Sequence, residues 1–223
     1  MLVVTESPPP AGSSDEANRM LNERRTWVRS GTELFADAIE RLNDADLAAP
    51  SLLPGWTRAH VLAHVASNAR ALTNLVRWAA TGIPTPMYSS LEQRQLEIES
   101  GAQLARDELV LRALSDAANL ESAMDDLDAT QWRREVITVQ GRTVEASEIP
   151  WLRAREVCVH AVDLDVGSTF GDLPSPFVAA LTAEVAAKRD LSELPAGDAA
   201  EVAAWLTGRP HALTGATALG PWL

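Results

Sequence analysis

The sequence predicts a mainly α-helical protein built as a four-helix bundle, and three observations support this fold class. Four long stretches place apolar residues three or four positions apart with charged residues between them, the spacing of amphipathic helices. Residues that commonly begin and end helices flank these stretches. Only one segment, around Gln140-Gly141, has the composition of paired strands. Long helices with short connections pack most readily as a bundle.

Local signals define each element in turn. Ser14 or Asp15 can cap the first helix, and Thr57 can cap the second, which the Gly- and Pro-containing stretch 81–86 ends. The β-rich stretch 135–144 interrupts the helical pattern and predicts a hairpin between two helices. The predicted helices cover approximately residues 15–43, 58–80, 90–99, 101–127, 147–166, 177–189 and 198–207.

These elements divide the chain into three predicted parts. Residues 1–14 contain Pro, Ser and Gly and are typical of a disordered N-terminal segment. Residues 15–170 form the predicted bundle, and residues 175–223 form a short C-terminal element. A chain of 223 residues can bury a sizeable core without disulfide bonds or a structural metal.

Composition excludes several classes of function. The 31 acidic residues outnumber the 19 lysines and arginines, giving a net charge of −12 that argues against a nucleic-acid partner. The sequence contains neither the features of a secretory signal nor an apolar run long enough for a membrane helix. The single cysteine, Cys158, fits a reducing compartment. We therefore expect a cytoplasmic protein without a membrane partner, for which a monomer is a plausible state.

Two predicted helices carry pairs of metal-type side chains four residues apart. His60 and His64 form one pair, and Glu156 and His160 form the other. Residues at this spacing lie on one face of a helix. One histidine from the first pair would complete a His₂Glu donor set with the second pair, as in catalytic zinc sites that keep a position open. Spacing alone leaves open which histidine is the ligand, and such pairs also occur on helix surfaces.

Cys158 lies between Glu156 and His160 in the sequence but is expected to point elsewhere. It is two residues from each, and therefore about 200° around the helix from both. We predict that it faces away from the metal-type side chains and packs as a small buried apolar residue.

Four stretches carry a family resemblance: residues 53–66 (LPGWTRAHVLAHVA), 85–88 (TPMY), 140–144 (QGRTV) and 153–164 (RAREVCVHAVDL). Together they resemble the mycothiol-dependent maleylpyruvate isomerases, a branch of the DinB-like superfamily. The resemblance covers roughly residues 20–175, together with Gly208-Arg209 and the terminal Trp222-Leu223. It implies a DinB-like four-helix bundle with a divalent metal, zinc being the expected ion.

The resemblance also implies a metal site and a reaction. Its ligands fall on His64, Glu156 and His160, because His64 is the histidine followed by Val-Ala in the motif. His60 then has no ligand role. The implied reaction is the conversion of maleylpyruvate to fumarylpyruvate in gentisate degradation, with mycothiol as cofactor. A thiolate activated by the metal adds to the double bond, the resulting single bond rotates, and elimination gives the trans isomer.

The implied substrate is a small dicarboxylate, for which arginine is the favoured partner. Arg94 matches the family's substrate-binding arginine, and Arg209 matches a C-terminal family arginine implicated at the site. Both are candidate catalytic and substrate-binding residues. Helical spacing adds Asn68, four residues beyond the ligand histidine, as a candidate for binding substrate. Asp163, seven residues beyond the ligand glutamate, is a candidate hydrogen-bond acceptor behind the metal ligands.

The C-terminal region departs from the family pattern and keeps other functions open. The family's C-terminal domain is a small α/β unit, whereas residues 175–223 contain two helical stretches and little that predicts strands. We therefore expect a reduced C-terminal domain, which puts the position of Arg209 in doubt. The alternatives are a mycothiol S-transferase or an isomerase of another cis-enoyl acid on the same scaffold. A third, from another class, is a non-catalytic metal-binding bundle.

Overall fold

The computed structural model describes residues 11–220 and residue 222, with side chains from Asp15 onward. Residues 1–10 of the predicted disordered segment lie outside the described residues, whereas residues 11–14 are helical, so the first helix begins earlier than predicted. The helices are α1 (Ala11–Glu40), α2 (Asp44–Leu47), α3 (Arg58–Thr81), α4 (Leu91–Gly101), α5 (Arg106–Asp125), α6 (Ile149–Asp163), α7 (Ser175–Lys188) and α8 (Ala199–Leu206). The strands are β1 (Glu135–Ile137) and β2 (Thr143–Glu145).

Helices α1, α3, α5 and α6 form the bundle. Helix α1 packs against α6, and α3 packs against both α5 and α6. Leu62, Leu72 and Leu75 on α3 have no exposed surface, and burying each such side chain contributes about 1.5–3 kcal/mol. The predicted mainly α fold and four-helix bundle are confirmed. Among the described helices, none is long and apolar enough to span a membrane.

The first helix ends three residues before its predicted end at residue 43, and a short helix follows in a region where none was predicted. Helix α1 stops at Glu40, and Asn43 adopts an extended conformation and caps the separate short helix α2. The Asn43 side chain accepts hydrogen bonds from the backbone nitrogens of Ala45 and Asp46. Asparagine offers the backbone these bonds in place of a continuous helix. The apolar periodicity that predicted one helix over 15–43 does not register this local competition.

The ends of α3 follow the predicted signals. Thr57 caps the helix through its side chain, which accepts a hydrogen bond from the backbone nitrogen of His60. At the other end Gly82 adopts a left-handed conformation with φ of 75°, which glycine accommodates without steric cost. These two signals fix the length of the helix that carries His64.

The predicted hairpin is also present. Strands β1 and β2 pair antiparallel, with Val136 opposite Val144, and Gly141 takes a positive φ of 77° in the connecting turn. The completely buried Val136 anchors the hairpin to the core. This anchoring places the turn residues 138–140 beside the cavity described below.

The C-terminal element consists of α7 and α8, which pack against each other. Phe177 of α7 lies against two tryptophans of the bundle, 6.0 Å from Trp27 and 5.6 Å from Trp151 between ring centroids. Within residues 175–220 the structure shows helices and no strand. These are the two helical stretches that the sequence predicts in this region.

Candidate metal centre and cavity

Three metal-type side chains meet where α3 and α6 face each other. His64 Nε2 lies 2.8 Å from Glu156 Oε2, and His160 Nε2 lies 3.2 Å from the same oxygen. All three candidate ligand atoms lie within 4.8 Å of one another. Glu156 and His160 share a face because they are one helical turn apart, and the packing of α3 on α6 brings His64 to them. Within the described part of the chain, no other three His, Cys, Asp or Glu residues form such a cluster.

The atoms at this centre fit a metal ion. Nε2 of His160 is buried and has no hydrogen-bond partner, so its 3.2 Å approach to Glu156 is not a hydrogen bond. Its other nitrogen, Nδ1, lies 2.8 Å from Asp163 Oδ2. A carboxylate can only accept, so Nδ1 carries the proton of the neutral ring, and in that form the Nε2 lone pair is available to a ligand. Two imidazoles and one carboxylate are the donor set of catalytic zinc sites.

Electrostatics favour the metal-binding protonation states of Glu156 and His64. Burial alone would raise the pKa of Glu156, but the nearby His64 and His160 hold it well below its usual value. Burial lowers the pKa of His64. Burial would also lower the pKa of His160, but the hydrogen bond with Asp163 and the nearby carboxylate of Glu156 raise it to about 8. An ionised carboxylate and a neutral His64 are the forms that coordinate a cation.

Arg209 lies behind His160, at the far side of Asp163. Its Nε and Nη2 donate to the two carboxylate oxygens of Asp163 at 3.0 and 2.7 Å, and its Nη1 donates to the carbonyl oxygen of Thr207 at 2.6 Å. Asp163 is completely buried and Arg209 nearly so. Burial alone would raise the pKa of Asp163, but its hydrogen bonds with His160 and Arg209 leave that pKa lowered. Asp163 therefore lies where the spacing predicted, beside a metal-type histidine.

This position of Arg209 differs from the expectation that it binds substrate. The residues that line the cavity beside His64 do not include Arg209. Its guanidinium is bonded to Asp163 and to its own backbone segment, because the residues directly after α8 return to the end of α6. It reaches the candidate centre only through Asp163 and His160.

A cavity of about 500 Å³ opens beside His64 and Glu156. Helices α3, α4 and α6, the hairpin turn and Trp222 all contribute to its wall. The polar and charged lining residues beyond the metal-type pair are Asn68, Arg94, Thr138, Gln140 and Arg155, and the remaining ones are Leu72, Met87, Tyr88, Leu91, Val139, Leu152 and Trp222. The cavity is thus cationic on parts of its wall and apolar on others.

Two predicted residues, Arg94 and Asn68, lie in this cavity. Nη2 of Arg94 is 3.3 Å from His64 Nδ1, and its guanidinium is 6.0 Å from the ring centroid of Tyr88. The side-chain oxygen of Asn68 accepts a hydrogen bond from Nη1 of the buried Arg153 at 3.0 Å. Since Asn68 lines the cavity and its oxygen is engaged, its amide nitrogen is the end that can donate to a bound molecule.

His60 belongs to a different environment. Its Nδ1 accepts a hydrogen bond from the backbone nitrogen of Thr57 at 3.3 Å, which completes the cap of α3. Its Nε2 faces Glu99 at 3.3 Å, and its ring stacks on Trp56 with 6.3 Å between centroids. The histidine that spacing alone could not separate from His64 therefore takes part in a helix cap and a pair with an acidic residue.

Cys158 is completely buried on the α1 side of α6. Its Sγ lies 3.9 Å from the carbonyl oxygen of Trp27, and a Cβ added at Gly31 would lie 2.5 Å from that sulfur. Burial raises the pKa of the thiol. The thiol thus faces the interface with α1, away from the metal-type side chains, as helix geometry predicts.

Sequence reasoning missed two arginines of α6. Arg153 is completely enclosed in the bundle and fixes Asn68, and Arg155 lines the cavity. Burial lowers the pKa of Arg153 to about 10. Their positions close to Glu156 in the sequence could have indicated a place near the site. The chain has eighteen arginines, however, and spacing does not show which of them are buried.

The fold and the site together define a class of protein: a helical bundle with a buried His₂Glu donor cluster beside a partly cationic cavity. Residues 28–165 match the family model of the mycothiol maleylpyruvate isomerase N-terminal domain. The crystal structure of a mycothiol-dependent maleylpyruvate isomerase is 35% identical, with a TM-score of 0.85, over 91% of this chain and 97% of that one. A structure of a histidine-to-alanine mutant under the same enzyme name is 37% identical, with a TM-score of 0.81, over 85% of this chain and 90% of that one.

A comparison with curated proteins gave no match. The family model covers more than half of the chain, and the structural relatives cover most of it. The chain therefore belongs to the mycothiol maleylpyruvate isomerase family. Its relatives are mycothiol-dependent isomerases, which supports an enzymatic function for this chain.

Proposed function

We propose that this chain is a metal-dependent cis–trans isomerase that uses mycothiol to convert maleylpyruvate to fumarylpyruvate. The observation that carries the proposal is the His64–Glu156–His160 cluster at the wall of a cavity that also contains Arg94. Membership of the family supplies the thiol and the substrate named in the proposal.

The three clustered side chains are proposed to hold a divalent metal, with zinc favoured by the donor set. When bound, the metal would supply the positive charge that keeps a thiol deprotonated near neutral pH. Asp163 accepts a hydrogen bond from Nδ1 of His160 and so directs Nε2 of that histidine toward the ligand position. Arg209 holds both oxygens of Asp163. We therefore propose that Arg209 is a positioning residue and does not contact substrate.

Arg94 and Asn68 are proposed to orient the substrate. Arg94 borders the cavity next to His64 and can bind a carboxylate. The amide nitrogen of Asn68 can donate a hydrogen bond to a substrate oxygen. A substrate fixed at these points remains free to rotate about its central bond once addition of a thiolate has reduced that bond to a single one. Elimination of the thiol then leaves the trans alkene.

The test is to incubate purified, metal-loaded protein with maleylpyruvate in the presence and absence of mycothiol. We expect fumarylpyruvate to form only when mycothiol is present, while the concentration of free thiol stays constant over many turnovers. Loss of one thiol for each substrate consumed would contradict the isomerase and support an S-transferase. Absence of any conversion by the folded, metal-loaded protein would support a non-catalytic metal-binding bundle.

A further inference from the structure

Arg155 lines the cavity, yet only 8% of the residue is exposed. Its Nη1 donates to Oε1 of Glu184 on α7. Its Nε is buried and has no hydrogen-bond partner. Within residues 11–220 and Trp222, the structure shows no hydrogen bond from Nη2 either, but Nη2 is not among the fully buried unpaired atoms. One edge of the guanidinium, formed by Nε and Nη2, is therefore unpaired, and Nη2 retains accessible surface.

The opposite edge is held firmly by protein groups. Glu184 also accepts hydrogen bonds from the indole nitrogen of Trp151 and from Lys188 Nζ, the latter at 2.7 Å. The guanidinium carbon of Arg155 lies 5.8 Å from the ring centroid of Trp151 and 5.5 Å from that of Trp222. These contacts fix the plane of the guanidinium. A donor edge whose orientation is set before binding loses little conformational freedom when a ligand arrives.

Arg209 shows how the edge formed by Nε and Nη2 of an arginine binds a carboxylate. Its Nε and Nη2 bind the two oxygens of Asp163 side by side, the bidentate arrangement that suits a carboxylate. Among the residues that the structure describes, none places a carboxylate at the same edge of Arg155. Since a buried N–H without a partner is unfavourable, the geometry indicates that the missing acceptor comes from a molecule in the cavity.

We propose that Arg155 is a second carboxylate-binding residue of the cavity and that it selects substrates with two carboxylates. This inference rests on the proposed function, in which Arg94 of α4 binds one carboxylate; Arg155 of α6 binds the other. Two local cations are needed because the chain carries a net charge of −12, and its overall field repels a dianion. Both arginines line the same cavity as His64 and Glu156.

The experiment measures binding without turnover. Maleate, a small cis-dicarboxylate, and crotonate, which has a single carboxylate, are titrated calorimetrically into the metal-loaded protein without mycothiol. We expect Arg155→Gln to weaken maleate binding about tenfold or more, because a charge-assisted bidentate contact is lost. Crotonate has one carboxylate for Arg94 and is expected to bind with an affinity changed less than about threefold. Unchanged maleate affinity in folded Arg155→Gln would overturn the proposal.

Glu184→Gln is the matched control, because it removes the charge at Nη1 but retains an oxygen that accepts hydrogen bonds. If Arg155 only ties α6 to α7, both variants should lower the melting temperature and neither should alter maleate affinity, a result that would overturn the proposal. If Arg155→Gln does not fold, Arg155→Lys keeps the charge without the bidentate edge. That variant should still bind maleate more weakly, and wild-type affinity in it would equally contradict the proposal.

The same variants separate this inference from the proposed function. If the isomerase assay fails but maleate binding depends on Arg155, the second carboxylate site stands and the proposed reaction falls. If mycothiol-dependent isomerisation proceeds with an unchanged KM in Arg155→Gln, the proposed reaction stands and the second carboxylate site falls.

Discussion

His60 and His64 lie one turn apart on α3, but the two turns belong to different parts of the molecule. The turn with His64 packs against α6, where the side chain is 6% exposed and faces Glu156. The turn with His60 begins the helix, where the ring caps α3 and faces Glu99 of α4. Two histidines on the same helix thus have different roles: His64 lies where it can bind a metal, and His60 caps the helix. The neighbouring helix, not the helix that carries the histidines, makes the difference.

The strongest test of this comparison is a pair of substitutions. His64→Ala removes one of three clustered donors and should abolish both stoichiometric metal binding and isomerase activity, because two donors remain. His60→Ala removes a cap and should keep both properties, with a loss of stability of about 1 kcal/mol. Metal content by mass spectrometry and the isomerisation assay check the pair. A metal-free His60→Ala protein that is still folded would break the comparison.

A second test compares the carboxylates that contact His160 and His60. Asp163 orients His160 through a buried hydrogen bond of 2.8 Å, whereas Glu99 faces His60 at 3.3 Å with half of its side chain exposed. Asp163→Asn should weaken metal affinity about 10- to 100-fold, because it disturbs the tautomer and orientation of His160.

Glu99→Gln is the control for Asp163→Asn and should leave metal affinity unchanged. Competition with a chromophoric chelator measures both variants. An equal loss in the two would mean that the effect of Asp163→Asn does not arise from its contact with His160.

Removal of the metal gives a third, smaller effect. A ligand that binds only the folded protein at about a hundred times its Kd adds about 2.7 kcal/mol of stability, which corresponds to about 5–10 °C in Tm for a protein of this size. We expect zinc to raise the Tm of chelator-treated wild type and of His60→Ala by this amount. His64→Ala should show little or no shift. A full shift in His64→Ala would place the metal elsewhere.

Much of the fold could be predicted because its signals are local. Thr57 begins α3, Gly82 ends it, and the turn around Gly141 makes the hairpin. The end of α1 was predicted three residues too late and the short helix α2 was missed, because apolar spacing does not register the capping of a new helix by Asn43. Local sequence signals therefore predict the ends of helices and strands where no other local structure competes with them.

The site could be predicted only in part, for a physical reason. Helical spacing places Glu156 and His160 on one face, but choosing His64 over His60 required the family motif, since the crossing of α3 and α6 is not a local property. For the same reason Arg209 was expected at the substrate, whereas it lies against Asp163. Arg155 was missed because its place in the cavity depends on Glu184 and Trp222, which are distant in sequence.

The smallest predicted effect concerns the two faces of α6. Glu156 and His160 face α3, whereas Cys158 faces α1, where its thiol is buried and its pKa is raised. Cys158→Ser should keep metal content and isomerase activity close to wild type. It should lower the free energy of unfolding by about 1–3 kcal/mol, because a hydroxyl replaces a thiol in a buried environment.

Cys158→Ala serves as the control for Cys158→Ser, since it removes the thiol without burying a hydroxyl. Thermal melting and the isomerisation assay measure both variants. If either were folded and loaded with metal but inactive, the thiol on the α1 face would have a role in the reaction. The division of α6 into a metal-facing side and a packing side would then be wrong. Activity retained in both, with the larger loss of stability in the serine variant, would show that the reactive thiol must come from outside the chain.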